Sequence, residues 1–208
     1  MNVAVFAQRT STPECPTCRP KTGVDFVLIR PGATVLDEME CIKGDLDVPL
    51  STKGRQEVDE MVARMRAVPF AAVYSSPCTA AVQTAESLAA AGQIRVRIDE
   101  DLRNLNHGLW QGKRFEELRL TQPKIYRMWG EHPDSVSPPE GETMESARAR
   151  CDAFIRRVQL KHRSAVVAVV ACEPLTTILR LRLSLAPHED FWNVERRAIG
   201  WDCVHCEP

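Results

Sequence analysis

The chain has 208 residues, of which 44% are hydrophobic and 26% charged, the balance of a soluble globular protein with one domain and a sizeable core. Its 27 basic and 28 acidic residues give a net charge of −1, so we expect it to bind neither nucleic acid nor a membrane. The longest apolar run, residues 165–171, is too short to span a bilayer, and the first residues do not resemble a signal peptide, so we expect a cytoplasmic protein.

The first half of the chain alternates short apolar runs with amphipathic stretches. Residues 1–23 lack periodicity and carry several prolines, which predicts an irregular N-terminal segment. Further along, continuous apolar runs are typical of buried strands, and apolar residues at helical spacing predict helices. The predicted elements are, in order, a strand over 26–29, a loop over 31–50, a helix from 51 or 52 to about 68, a strand over 71–74, a helix over 79–91 closed by Gly92, and a half-exposed strand over 94–98.

The second half continues this alternation. Its predicted elements are a helical stretch over 113–130, a proline-rich loop over 132–139, a helix over 143–161, a strand over 165–171, a helix over 174–183 and a last strand near 198–201. Alternating strands and helices predict an α/β three-layer sandwich, with a mostly parallel sheet and helices on both faces. Ligands bind such sheets beyond the carboxyl ends of the strands, where Arg30, Ser76 and Cys172 lie.

Five segments at strand ends and in loops carry a further pattern. They are LIRPGAT from Leu28, KGDLDVPLSTKG from Lys43, YSSPCTAAVQTA from Tyr74, LRN from Leu102 with GLWQG from Gly108, and PEGET from Pro139 with VVAC from Val169. In this order they resemble the motifs of the histidine phosphatase superfamily, phosphoglycerate-mutase-like branch. The resemblance implies the fold predicted above and, for the family, phosphatase or phosphomutase activity. The organisation it implies is an irregular segment over 1–23, a histidine-phosphatase-like domain over 24–202 and a tail over 203–208.

The chain departs from the family at the positions of its catalytic groups. The family's nucleophilic histidine follows the motif arginine, and the residue after Arg30 is Pro31, which has no nucleophilic side chain. The second phosphate-binding arginine corresponds to Ala80 and the second histidine to Cys172. The acid/base glutamate corresponds to Asn104, which cannot exchange a proton usefully near neutral pH. Of the family's catalytic constellation, the resemblance therefore leaves only Arg30.

These departures suggest a catalytically inactive family member, a pseudophosphatase with a binding, regulatory or scaffolding role. One alternative is an active phosphatase or mutase that acts on a small phosphorylated substrate through a displaced nucleophile. Another is a structural partner that forms a heterodimer with an active homologue. The expected partners are an unidentified protein or a small anionic ligand, and a homodimer is also possible.

Several residues near the expected pocket allow two interpretations. Cys172 is either a nucleophilic thiolate, favoured by the following helix but opposed by Glu173, or a small apolar filler. Arg30 either binds an anion or pairs with a carboxylate such as Glu142. His107 either approaches the pocket mouth or has a structural role.

Eight cysteines are unusual for a chain of this size. Cytoplasmic thiols stay reduced, so they do not predict disulfides. Cys15 with Cys18, and Cys203 with Cys206, form two Cys-x-x-Cys pairs that can together hold one structural Zn²⁺. Iron would accept the same ligands, and a redox pair or unrelated cysteines in frayed tails are alternatives. Three further cysteines lack a partner at metal-ligand spacing and are expected to fill space: Cys41, Cys78 and Cys151.

Overall fold

A sheet of five strands forms the centre of the computed structural model, which describes residues 23–184 and 199–206. The strands are β1 (Gly23–Arg30), β2 (Phe70–Ser75), β3 (Val96–Ile98), β4 (Ser164–Val170) and β5 (Gly200–Cys206). Within the described residues they lie in the order β3-β2-β4-β1-β5. Every neighbouring pair is parallel except β1 with β5, which is antiparallel. The mostly parallel α/β sheet predicted from the alternating pattern is therefore confirmed.

Helices follow the strands as the sequence predicted. They are α1 (Val35–Glu38), α2 (Thr52–Met65), α3 (Thr79–Gly92), α4 (Phe115–Thr121), α5 (Pro123–Glu131), α6 (Met144–Lys161) and α7 (Leu175–Ser184). Short 3-10 turns lie at Glu100–Leu102, Gly108–Trp110 and Pro133–Ser135. None of the helices in the described ranges is long and apolar enough to cross a membrane.

Buried side chains on the two faces of the sheet form separate cores, because successive residues of a strand point to opposite faces. Phe26 and Leu28 of β1 pack in the core that contains the apolar face of α6, whereas Val27 and Ile29 pack in the core that contains α2 and α3. This arrangement explains why β1 is a continuous apolar run rather than an alternating one. It also gives the three layers of the predicted sandwich.

Several element boundaries differ from the sequence predictions, among them the four that follow. The loop over 31–50 contains α1, because Thr34 and Asp37 cap it in a reciprocal capping box. The stretch over 113–130 is two helices, since Pro123 starts α5. Helix α3 closes on Gln93 in the left-handed conformation (φ 54°) and not on Gly92. Strand β5 extends through Cys206, into residues assigned to the tail.

The carboxyl ends of β1, β4 and β2 meet at one edge of the sheet. Val170 at the end of β4 is paired with Ile29 on one side and Ser75 on the other. The ladder continues past the strand ends, because Ser76 N–H donates to Val170 (2.8 Å) and Ala171 N–H donates to Ile29 (3.1 Å). The residues that follow these strands are thereby held side by side. The residues that follow β1 and β4 form one wall of a cleft.

Candidate functional site

A cleft of about 200 Å³ opens beyond these strand ends. Its wall includes residues that follow β1 and β4, together with α1 and the loop after it. Three basic residues line it: Arg30, Lys43 and Lys53. Five carboxylates line it as well: Asp37, Glu38, Glu40, Glu57 and Glu173. The cleft lining therefore has an excess of two negative formal charges.

Arg30, the last residue of β1, faces two carboxylates. Its Nη1 lies 2.8 Å from Asp202 Oδ2 on β5 and 3.8 Å from Glu173 Oε1 after β4. Only 13% of the arginine side chain and 4% of the Glu173 side chain are exposed. The expectation that Arg30 could pair with Glu142 is wrong, because Glu142 pairs with Arg150 at 2.8 Å. Two carboxylates thus occupy the surroundings that an anionic ligand of Arg30 would need.

The backbone after Arg30 is also engaged. Pro31 is buried and has no N–H to donate. The next two N–H groups are already used: Gly32 donates to Thr84 Oγ1 (3.3 Å) and Ala33 donates to Glu57 Oε2 (3.0 Å). This loop therefore offers an incoming anion little hydrogen bonding.

Ala80 and Asn104 have structural surroundings. Ala80 is buried in a small apolar cluster with Leu50 and Val58. Asn104 Nδ2 donates to the carbonyl oxygens of Gly44 (2.8 Å) and Glu173 (2.9 Å), and its Oδ1 accepts from Leu175 N–H (3.4 Å). The buried amide thus connects the loop after α1 to the start of α7, and its donors and its acceptor are both occupied.

Cys172 and Cys78 form a pair of thiols at the ends of β4 and β2. Their sulfur atoms are 3.6 Å apart, and the Ser76 hydroxyl donates to the Cys78 sulfur at 3.6 Å. Cys172 is buried and lines the cleft, whereas Cys78 is half-buried at the N-terminus of α3. Cys78 is partly buried as expected, and its contact with Cys172 was not predicted from the sequence. Both residues follow predicted parallel strands, and this position was the signal from which their proximity could have been predicted.

The two thiols have opposite preferences for the proton. The hydrogen bond from Cys172, with help from the Ala81 N–H, the Ser76 hydroxyl and the charge of Lys43, outweighs burial and lowers the pKa of Cys78 to about 6. The same hydrogen bond and burial raise the pKa of Cys172 well above its ordinary value. Of the two interpretations of Cys172, the raised pKa favours the small apolar filler over the nucleophilic thiolate. The pair therefore favours deprotonation of Cys78 over deprotonation of Cys172.

Lys43 carries the positive charge near this pair. Burial alone would lower its pKa, but the sulfur of Cys172 and the carboxylate of Asp37 raise it overall. Its Nζ contacts both oxygens of Asp37, at 2.8 and 3.0 Å. Burial alone would raise the pKa of Asp37, but Lys43 holds it below its ordinary value. Lys43 is thus a charged ammonium fixed beside the cleft.

His107 has a structural position. It is fully buried, and its ring meets Trp129 edge-on with 5.4 Å between centroids. Trp110 packs edge-on against the same Trp129 ring, with 5.7 Å between centroids. The structural interpretation of His107 is therefore confirmed.

The C-terminal cysteine pair lies in an extended strand rather than in a metal-binding turn. Cys203 and Cys206 are three residues apart in β5, so their side chains point to opposite faces of the sheet. Cys206 packs on the core that contains α6 and accepts a hydrogen bond from Gln159 Nε2 (3.0 Å). The predicted ligands Cys15 and Cys18 lie outside the described residues.

No group of three or more potential ligands able to hold a metal ion occurs within residues 23–184 and 199–206. The extended conformation of β5 does not fit the turn that a shared ion would require at Cys203 and Cys206. The four-cysteine zinc site therefore stays a prediction from the sequence.

Comparison with known proteins identifies the family. The family model described as histidine phosphatase superfamily (branch 1) matches residues 26–208. The chain belongs to the histidine phosphatase superfamily. Members of this superfamily are phosphatases or phosphomutases, so the resemblance carried by the five motifs is confirmed at the level of the family.

Two curated relatives illustrate the range of the superfamily. Phosphoserine phosphatase 1 of Hydrogenobacter thermophilus is 24% identical over 184 residues, which cover 88% of this chain and 87% of the relative. Phosphoglycerate mutase-like protein 4 of Arabidopsis thaliana is 31% identical over 149 residues, 70% of this chain and 65% of that protein. Among solved structures, Bacillus stearothermophilus YhfR superimposes with a TM-score of 0.74 at 27% identity, covering 81% of this chain and 84% of that one.

The structure brings together most of the positions that the histidine phosphatase resemblance singles out. Arg30, Pro31 and Cys172 line the cleft. Asn104 is hydrogen-bonded to the backbone of Glu173 beside it, and Ala80 lies in the neighbouring apolar cluster. Sequence reasoning missed the carboxylate of Asp202, because β5 was expected to end before it.

Proposed function

We propose that this histidine phosphatase homologue does not carry out the family's phosphohistidine reaction and serves as a binding or regulatory module. The observation that carries the proposal is the environment of Arg30, whose guanidinium lies between Asp202 and Glu173. Two carboxylates already lie within 4 Å of the guanidinium that would have to bind a phosphoryl group. Arg30 is also the only basic residue of the described chain among those that end or directly follow β1 and β4.

Energetics support this interpretation. Each charge-assisted hydrogen bond to a phosphoryl group contributes roughly 1.5–3 kcal/mol. Pro31, Ala80 and Cys172 provide none of the charged groups that the family has at these positions, so stabilisation of about 5 kcal/mol or more is missing. Asn104, whose amide is fully engaged with backbone groups, cannot serve as the acid or base.

The charge of the cleft indicates the ligand class. Five carboxylates against three basic groups favour a neutral or cationic ligand over a phosphomonoester. A protein partner that presents a basic side chain would satisfy the same charge pattern. Assembly as a homodimer or with an active homologue remains a separate proposal, tested by whether the purified chain is oligomeric alone or only with that homologue.

One observation favours a second candidate, an active phosphatase with a displaced nucleophile. The pKa of Cys78 is lowered to about 6, in part by the charge of Lys43, so a nucleophile and a cation are both present. Attack on phosphorus would form a phosphocysteine intermediate that water must then hydrolyse. This candidate also accounts for relatives that are named as phosphatases.

A phosphatase assay with matched variants separates the two candidates. The substrates are p-nitrophenyl phosphate, phosphoserine and a phosphosugar, and the proteins are the wild type, Arg30→Ala and Cys78→Ser. We expect the wild type to hydrolyse none of these substrates faster than Arg30→Ala does. Turnover lost only in Cys78→Ser would establish the displaced nucleophile, and turnover lost in Arg30→Ala would contradict the proposed inactivity.

A further inference from the structure

We propose that Cys78 and Cys172 are a redox-active pair, which a hydroperoxide converts to a disulfide and a dithiol reductant restores. The sulfur atoms already lie 3.6 Å apart, in contact through an S–H hydrogen bond. The two residues belong to different segments, which follow β2 and β4, so a bond between them would link the ends of two neighbouring strands. The inference goes beyond the proposed binding function and does not depend on it.

Access to the pair differs between its two members. Cys78 is half-buried, so it is the more accessible residue of the pair to a molecule as small as hydrogen peroxide. Cys172 is 3% exposed and is shielded from larger reagents, yet it lines the cleft. We therefore expect the half-buried Cys78 to react first and the buried Cys172 to resolve the product.

The protonation states suit these two roles. A thiolate is the reactive form toward a peroxide, and a hydrogen bond donated by Cys172 favours that form of Cys78. The charge of Lys43 favours the thiolate as well. The raised pKa of Cys172 favours its thiol form, and Cys172 is the resolving residue that attacks the oxidised sulfur of Cys78.

The reaction balances in two steps. The Cys78 thiolate attacks one oxygen of hydrogen peroxide, the O–O bond breaks, and Cys78 becomes a sulfenic acid with release of hydroxide. The sulfur of Cys172 then attacks the Cys78 sulfur, the S–O bond breaks, and the thiol proton leaves with the oxygen as water. Two electrons pass from the two sulfurs to the peroxide, and a dithiol reductant reverses the change by disulfide exchange.

Oxidation alters the charge beside the cleft. The disulfide has no charge, so one negative charge is lost near Lys43. The Asp37 carboxylate then remains as the counter-ion of Lys43, at 2.8 Å. We expect the oxidised cleft to accept anions more readily than the reduced one.

Peptide mapping of the full chain tests the inference. Reduced protein is treated with hydrogen peroxide, its remaining thiols are blocked with iodoacetamide, and it is digested with trypsin without reductant. Trypsin releases Cys78 in a peptide of residues 67–95 and Cys172 in a peptide of residues 164–180, each with a single cysteine. We expect a linked 67–95/164–180 species that disappears on reduction with dithiothreitol.

Variants assign the roles. In Cys172→Ser, dimedone should capture a sulfenic acid on Cys78, because the resolving thiol is missing. In Cys78→Ser, no linked peptide should form and Cys172 should stay reduced. Cys151→Ser is the matched control, since Cys151 is a buried cysteine of α6 outside the pair, and the link should form as in the wild type.

The proposal is overturned if the wild type gives no 67–95/164–180 link while other cysteines of the chain oxidise. In peroxide-treated Cys172→Ser, dimedone labelling of Cys78 that is no faster than that of Cys151 also overturns it. Both measurements use folded protein, and the first needs no variant, so misfolding of a variant cannot obscure the result. Neither outcome depends on whether the chain hydrolyses phosphate.

Discussion

Replacing Asp202 with asparagine removes the carboxylate that lies 2.8 Å from Arg30 and keeps the shape of the side chain. The side chains of Arg30 and Asp202 are 13% and 37% exposed, so the pair lies between the surface and buried cases. Surface pairs contribute about 0.2–1 kcal/mol, and loss of one partner of a buried pair costs about 3–5 kcal/mol. We expect a coupling of about 1–2 kcal/mol for this pair.

The Asp202 carboxylate competes with any anion for the guanidinium of Arg30. If the whole coupling energy becomes available for anion binding, Asp202→Asn should bind vanadate about 5- to 30-fold more tightly than the wild type, since 1.4 kcal/mol corresponds to about tenfold. The gain should vanish in Arg30→Met/Asp202→Asn. Isothermal titration calorimetry measures the affinities directly, and a double-mutant cycle in urea gives the coupling.

Asp152→Asn is the matched control, because Asp152 pairs with Arg182 at 2.7 Å on an exposed surface outside the cleft. It makes the same chemical change and should leave vanadate binding unaltered. If the wild type binds vanadate as tightly as Asp202→Asn does, Asp202 does not compete with anions for the Arg30 guanidinium and the reasoning is refuted.

Four further predictions concern the pair of thiols and the buried structure around the cleft. Alkylation of Cys78 by iodoacetamide should be half-maximal near pH 6, against about 8.5 for an ordinary thiol, because Cys172 stabilises the thiolate. The folded state lowers this pKa, so the stability that the Cys78 thiolate contributes is complete above about pH 8.5 and is lost as the pH falls towards 6. Asn104→Ala should lower the free energy of unfolding in urea by about 3 kcal/mol, since it leaves buried backbone groups without partners. Trp129→Ala, at a fully buried side chain, should lower it by about 3–5 kcal/mol.

Each of these predictions has a control in the same chain. Cys151 should resist alkylation throughout, because burial raises its pKa to about 12. A Cys78 profile that rises only above pH 8 would contradict the proposed thiolate. Leu120→Ala, on the exposed surface of α4, should change stability by less than about 0.5 kcal/mol. If Asn104→Ala or Trp129→Ala proves equally mild, the packing described around the cleft is wrong.

The fold was largely predictable because its signals are local. The apolar runs of β1 and β4 and the helical periodicity between them lie within single windows of sequence. The end of α3 was not predictable from Gly92, because the left-handed conformation that closes a helix is tolerated by Gln93 as well. Strand β5 was underestimated since its residues alternate between exposed and half-buried, and its pairing with β1 is a long-range contact.

The site was predictable only in part. Family positions such as Pro31 and Cys172 could be located by motif, because motifs are contiguous. The partners of these residues could not, since Asp202 reaches Arg30 from 172 positions away and Cys78 reaches Cys172 from 94 positions away. Charge neutralisation and thiol pairing arise from this spatial proximity, which spacing in the sequence does not record.

Many motif residues that the chain shares with its family hold the backbone rather than perform chemistry. The side chain of Ser51 accepts from Gly54 N–H and starts α2, and Gly54 has no room for a Cβ against the backbone of Ala33. Gly44 has a positive φ of 55° and lies against Gln111. Such residues account for a shared fold whether or not phosphate is bound. Vanadate binding by Asp202→Asn, and not the degree of resemblance, therefore tests whether the charge around Arg30 controls anion binding in this cleft.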